Sequence, residues 1–282
     1  MLAAVLLVHG RAAGDESAGW IPSLAIGADV QTGTASATVA SSLRGEFDGG
    51  RSFVSGNPTL RGELMSPVIG EVPGRPRLFA HAGWQWGWTV LDEERFVVKE
   101  LNPSQVVIEP SPFPAVADTP PKLVDGQGSE VDLEIRNGWY TGLGIAFHVP
   151  LAGFDFLLKP SADYYQQSLR YQGTVLNVTC QVIINLNKPR CVKGTQAIQD
   201  IGRSDDSTLH ALGPRLGVEL EVGQRGPLSF ALFAEGFVYW IVGDRSVRFE
   251  GQSGGDTATF SAKTDSLMGG GSVGMRMSWR GQ

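Results

Sequence analysis

Between Leu78 and Val149 side-chain character alternates at nearly every step, and this limits the possible folds more than any other feature of the chain. Leu78, Ala80, Ala82, Trp84, Trp86, Trp88 and Val90 take every second position, with Phe79, His81, Gly83, Gln85, Gly87 and Thr89 between them. The second run is longer. Val131, Leu133, Ile135, Asn137, Trp139, Thr141, Leu143, Ile145, Phe147 and Val149 interleave with Asp132, Glu134, Arg136, Gly138, Tyr140, Gly142, Gly144, Ala146 and His148. Successive side chains of a strand point to opposite faces, so each run has one apolar face and one small, polar or charged face. Strands of soluble sandwiches are usually about 5–6 residues long, and a tilted strand crosses a bilayer in ~9–11 residues. Both runs are long enough to cross.

Composition agrees with membrane-spanning strands rather than helices. Apolar residues make up 42% of the 282, mean hydropathy is −0.04, and no stretch approaches the ~18 consecutive apolar residues of a transmembrane helix. A membrane barrel stays inconspicuous by this measure because half of each strand faces a polar lumen. Glycine, 37 of 282 residues, is about twice as frequent as usual, and many of these glycines fall on the face expected to point inward. The formal charge of −6 argues against nucleic acid as a partner, which would call for a basic stripe.

The apolar run Met1–Val8, followed by Gly10-Arg11-Ala12-Ala13-Gly14, looks like the core and cleavage region of a secretory signal without its basic leader. Residues 1–14 are therefore read as a signal remnant, a plain N-terminal tail being the alternative, and 15–282 as a single barrel domain. Export makes a disulfide between Cys180 and Cys191 plausible; it would close a loop of about 12 residues and contribute about 3 kcal/mol.

The alternation extends to eight segments: Trp20–Gln31, Thr59–Ile69, the two runs above, Phe154–Tyr164, Leu212–Val222, Leu228–Val242 and Leu267–Trp279. Gly70–Pro76, Pro150–Gly153 and Gly223–Pro227 read as tight turns rich in Gly and Pro. The other connections, Thr32–Pro58, Asp92–Gly128, Gln172–Ser207 and Gly243–Ala262, are long. The expected fold is all-β: an eight-stranded antiparallel up-and-down transmembrane β-barrel with short periplasmic turns and long extracellular loops. A soluble barrel with the apolar face inside is the alternative; it would put Asp132, Glu134 and Arg136 outside.

On these eight segments and their alternating short and long connections, the chain resembles the small eight-stranded outer-membrane barrels of Gram-negative bacteria, the OmpA/OmpX type. The resemblance covers roughly residues 20–280, is architectural, and implies location in the outer membrane. It departs from that class at the end, where Arg280-Gly281-Gln282 follow Trp279 in place of a terminal aromatic residue.

An eight-stranded barrel has room inside for side chains only. The inward set comprises Asp29, Arg61, Glu63, His81, Asp132, Glu134, Arg136, His148, Lys159, Asp163, Arg215, Glu219, Glu235 and Arg276. Buried charges persist when paired, so a lumenal salt-bridge network that plugs the barrel is expected, with a narrow ion path as the alternative. Trp84, Trp86, Trp88, Trp139 and Trp240 are expected to face lipid or a partner. His81 and His148 lie on neighbouring strands and could meet in the lumen.

Asp205, Asp206 and His210, with Ser207 among them, form the one cluster suggestive of a rim hydrolase. Acidic loop residues are more often simply solvated. Histidines and cysteines lack metal-ligand spacing, so neither metal nor cofactor is expected. The reading is a non-enzymatic anchor or binding module. Its partners would be outer-membrane lipid or lipopolysaccharide, and a protein reached through the long loops 92–128 (rich in proline) and 172–207.

Overall fold

The computed structural model describes residues 19–43, 45–87, 95–96, 122–124, 128–185, 188–191 and 197–280, nearly all of them in β-structure. In chain order the strands are β1 (Ile21–Ser41), β2 (Gly45–Met65), β3 (Arg77–Gln85), β4 (Arg95–Phe96), β5 (Lys122–Val124), β6 (Gly128–Leu151), β7 (Phe154–Asn185), β8 (Lys188–Cys191), β9 (Ala197–Arg225), β10 (Leu228–Val242), β11 (Ser246–Ser253), β12 (Asp256–Thr264) and β13 (Leu267–Trp279). Strands β1, β2, β3, β6, β7, β9, β10 and β13 pair antiparallel in that order, and β13 pairs back onto β1. Each of these eight overlaps one of the segments read from the sequence, although β2 stops at Met65 and β3 at Gln85, short of the ends expected for theirs. Closure satisfies the backbone all round the ring, which a sheet inside a membrane requires.

Connections at one end are short. Only Ala152 and Gly153 separate β6 from β7, both at positive φ (54° and 83°), as a two-residue hairpin turn demands. Gly226 and Pro227 join β9 to β10, and Trp20 and Trp279 lie at this same end. At the other end the chain departs from expectation. Residues 32–58, expected as a loop, continue β1 and β2 in unbroken register from Thr32↔Val54 to Ser41↔Gly45. Residues 172–207 extend β7 and β9, which remain paired as far as Thr179↔Ala197. Within 243–262, β11 and β12 form a hairpin, and β12 takes over from β13 as the partner of β1 beyond Ala35. Of residues 92–128, only β4, β5 and the start of β6 are described, β4 pairing with β6 and β5 with β7.

The barrel is thus taller than a membrane, and its polarity inverts along its height. On β1 the outward residues Leu24, Ile26 (61% exposed) and Val30 are apolar, and the inward ones include Asp29 and Gln31. Farther along, Ser36 faces out while Ala35, Ala37 and Val39 are buried inside. On β7 the outward series runs Phe154, Phe156, Leu158, Ala162, then Gln166, Ser168, Arg170; the buried series runs Lys159, Asp163, then Leu169, Tyr171, Val175. The ten residue steps from Trp20 to Val30 climb roughly 26 Å at ordinary rise and tilt, close to the ~25 Å apolar band of such barrels. Above that band water surrounds the ring, so apolar side chains gain by turning inward.

On β6 the inversion is produced by the backbone. Ile135 pairs with Leu169 but Gly138 with Gln167, so β6 contains one residue more than β7 between these points. This bulge reverses side-chain parity. Asn137 Oδ1 accepts the Gly87 N–H at 3.1 Å beside it, and a Cβ on Gly87 would lie 2.4 Å from the Arg136 backbone, so only glycine fits that crossing. Val131, Leu133 and Ile135 therefore point into the core, and Asp132, Glu134 and Arg136 away from it. The expectation that these three charged residues line the lumen is corrected.

Candidate functional site

The lumen holds three layers. At the short-turn end Met65, Phe79 and Ala146 pack with Ile21 and Leu157. At the far end a larger apolar cluster fills the ring, its inner boundary made by Tyr140, Tyr165, Phe237 and Tyr239. Tyr165 and Phe237 both stack on Tyr239, with centroids 5.3 and 4.8 Å apart. Charged side chains are enclosed between the two.

Four of them form a closed ring of alternating sign. Lys159 binds Glu63 and, at 3.0 Å, Glu219; Arg276 binds Glu219 and, at 2.7 Å, Glu63. A second chain begins at Arg61, whose Nη1 lies 2.5 and 2.6 Å from the two carboxylate oxygens of Glu235. Arg215 Nη1 meets Glu235 at 2.8 Å, and its Nε meets Asp163 at 2.7 Å. His81 Nε2 stands 3.2 Å from Asp163, and Tyr239 both accepts from Arg215 at 2.7 Å and donates to Asp163 at 3.0 Å. Aromatic faces cover the cations: Arg215 lies 4.4 Å from the centre of Tyr140, Lys159 4.5 Å from Phe79 and Arg61 4.8 Å from Phe233. In the third group, around Asp29, no cation stands within ion-pair distance of the carboxylate among the described residues. Gln85 donates to it and in turn meets Gln31 and Tyr165.

Of the eleven remaining members of the inward set, ten lie in the lumen. Asp29, Arg61, Glu63, His81, Lys159, Asp163, Arg215, Glu219, Glu235 and Arg276 have side chains inside the ring. His148 does not meet His81; it pairs with Asp155 at 2.8 Å near the short-turn end. The neutral residues Gln31, Asn57, Gln85 and Gln167 carry the same inward parity without a charge to mark them, and they too are buried.

On the outer face, Trp84 pairs directly with Trp139, Trp139 packs on Tyr164 at 5.2 Å, and Trp84, Trp86 and Trp240 are exposed. Trp20, Phe154 and Trp279 are exposed at the opposite end of the apolar band. Two aromatic belts thus bound the band, as at the two interfaces of a bilayer. Trp88 and the side chains of Cys180 and Cys191 lie outside the described residues; the backbone register sets Cys191 opposite Val182 and Cys180 opposite Leu123.

Asp205, Asp206 and His210 are not brought together. Asp206 is held by Arg170 at 2.9 Å, with Arg136 at 3.7 Å, and this pairing keeps its carboxyl below the usual range. His210 Nδ1 meets Tyr164 Oη at 2.6 Å. Asp206 and His210 are four residue steps apart along one strand, roughly 13 Å at the usual rise. Asp205 has the opposite parity and accepts the Asp206 N–H at 3.0 Å. Arg170 and Tyr164, the partners that hold these residues, could not be read from sequence because they come from the neighbouring strand.

No protein-family profile and no curated protein matches the chain. Among solved structures it is similar to the outer membrane protease OmpT from Escherichia coli, at 8% identity over 94% of this chain and 99% of that one, with a TM-score of 0.34. Ail, the attachment invasion locus protein of Yersinia pestis, solved with the heparin analogue sucrose octasulfate, matches at 9% identity over 89% of this chain and 98% of that one, TM-score 0.21. A Pseudomonas aeruginosa FadL homologue matches at 8% over 93% and 90%, TM-score 0.19. A closed antiparallel ring with an apolar belt outside and a polar lumen inside is the architecture of a membrane-spanning β-barrel.

Proposed function

We propose that the chain is a plugged anchor of the bacterial outer membrane, with its short turns in the periplasm, that carries a water-facing β-barrel at the cell surface as a binding module. The observation behind this reading is the polarity inversion. The ring does not end in loops at the membrane surface but continues as a cored barrel with a polar exterior, a form suited to rigid presentation. The stacked tyrosines above the charged layer and Met65 and Phe79 below it argue against an ion path. The separate partners of Asp206 and His210 argue against a rim hydrolase. The segments 92–128 and 172–207 would meet a protein partner, and the aromatic belt lipid or lipopolysaccharide.

The experiment is to extract the barrel from its native membrane in mild detergent and weigh the intact particle. Mass beyond the 30.2 kDa chain, lost when the tip between Thr179 and Ala197 is shortened, is the expected result. A bare chain that shows a catalysed reaction abolished by His210→Ala would overturn the reading.

A further inference from the structure

The short-turn end of the ring differs from one side to the other. Where β13 meets β1, Trp20 and Trp279 are exposed, and tryptophan collects at the headgroup level of a bilayer. Polar side chains follow at once. Arg280, next in the chain, pairs with Glu221 at 2.5 Å, and Gln224 and Arg225 are exposed at the turn into β10. Farther round the ring, where β3 pairs with β6, no tryptophan or tyrosine occurs from Leu60 to Phe79 or from Leu143 to Pro160. Apolar side chains instead reach the tips of both connections. Ile69 and Val72 (57% exposed) stand between β2 and β3; Leu151 (64% exposed) and Phe154 flank the Ala152-Gly153 turn.

Hydrogen bonds fix the longer of these connections. The Ile69 N–H donates to Pro76 O at 2.8 Å, the Arg75 N–H to Val72 O at 3.1 Å, and the His148 N–H of β6 to Gly74 O at 2.8 Å. A Cβ on Gly74, at φ +83°, would lie 3.5 Å from His148 O and 4.0 Å from the Phe147 Cβ. The connection therefore runs beside Phe147, a member of the outward series Leu143, Ile145, Phe147 and Val149 that ends in Leu151. Ile69 and Val72 are in this way continuous with the apolar band.

Backbone enters a bilayer only where its polar groups are satisfied. Pro67, Pro73 and Pro76 have no N–H to lose water, and the N–H groups of Ser66, Ile69 and Arg75 are bonded. Glu71, between Ile69 and Val72 in the chain, is exposed; its charge belongs at the headgroups rather than among the acyl chains.

We propose that the β2–β3 and β6–β7 connections seat one side of the barrel rim in the phospholipid interface of the inner leaflet, while the side carrying Glu221, Arg225 and Arg280 stands in water. The partner is a lipid surface. Apolar side chains on bonded, proline-rich backbone, with a carboxylate at the tip, match the boundary between acyl chains and headgroups. The inference rests on the reading of the chain as a membrane anchor with this end in the periplasm.

The test is benzophenone cross-linking in the native membrane. p-Benzoylphenylalanine replaces Val72, Leu151, Leu143 or Arg225 singly in the full chain, with folding of each variant checked by heat-dependent gel mobility. Mass spectrometry after irradiation should show a phospholipid adduct at Val72 and Leu151, a lipid adduct at Leu143 in the band, and loss of lipid capture at Arg225. A protein adduct or no adduct at Val72, with lipid still captured at Leu143, would overturn the proposal and leave the anchor standing. Equal lipid capture at Arg225 would overturn it too, since the rim would then have no water-facing side. Lipopolysaccharide captured at Val72 would reverse the orientation, and no lipid at Leu143 would overturn the anchor and the proposal together.

Discussion

Leu133 and Leu143 have the same parity on β6 and point in opposite directions: Leu133 is 8% exposed inside the ring and Leu143 71% exposed on the outside. The extra residue between Ile135 and Gly138 separates them. One strand thus meets two environments with a single alternating pattern, apolar toward lipid below the bulge and apolar toward the core above it.

This arrangement predicts different costs for substitution at the two leucines. Leu143→Arg, a charge on the lipid face, should destabilise by about 2–4 kcal/mol if it lies near the bilayer midplane. Leu133→Ala, a cavity in the core, should cost about 2–5 kcal/mol. Urea unfolding in lipid vesicles reads both. Leu143→Arg should depend on bilayer thickness and Leu133→Ala should not; the same thickness dependence in both would contradict the inversion.

The closed ring of Lys159, Glu63, Arg276 and Glu219 should behave as a unit. Lys159→Met leaves two buried carboxylates short of a partner and should cost about 3–5 kcal/mol. Adding Glu219→Gln should recover part of that loss, since the remaining Arg276–Glu63 pair is balanced. Additive losses in the double variant would show that the four do not form one network.

Arg170 holds the Asp206 carboxyl below its ordinary range. A carboxylate whose folded value is depressed contributes stability above its unfolded value and loses it as pH falls through the folded one. Because the pair is exposed, the contribution is small, and the direct reading is the carboxyl titration itself by NMR. Arg170→Ala should move the Asp206 midpoint upward; an unchanged midpoint would mean the pair does not form in solution.

The tryptophans at the two ends of the band should report two interfaces. Trp84, Trp86 and Trp240 on one side, and Trp20 and Trp279 on the other, should be quenched by lipids labelled near the headgroup more than by lipids labelled deep in the chains. Strongest quenching by deep labels would misplace the band.

The membrane-crossing segments were legible in sequence because lipid on one side and a polar lumen on the other impose a strong alternation, as in Pro22–Val30 and Leu228–Val242. The tall extension was not. Thr32–Ser41 alternates too, but between Ser or Thr and Ala or Val, and with the apolar side inward; against the stronger contrast of the band it read as a loop. On β6 the apolar residues simply continue, and a bulge is defined by the partner strand, so Asp132, Glu134 and Arg136 were assigned to the wrong face. Charged lumenal residues such as Lys159 and Glu219 stood out by parity. Which partner each would meet depends on ring closure, which brings Glu63 and Arg276 together across 213 positions of sequence.

Spin labels placed singly at outward positions of β1, from Leu24 through Ile26, Ala28, Val30, Thr32, Thr34 and Ser36 to Thr38, test the central claim most directly. Collision with dissolved oxygen should dominate as far as Val30, and collision with a water-soluble nickel chelate from Thr34 onward. A lipid-like response continuing to Thr38, or a water-like response from Leu24, would contradict a barrel that changes polarity along its own strands.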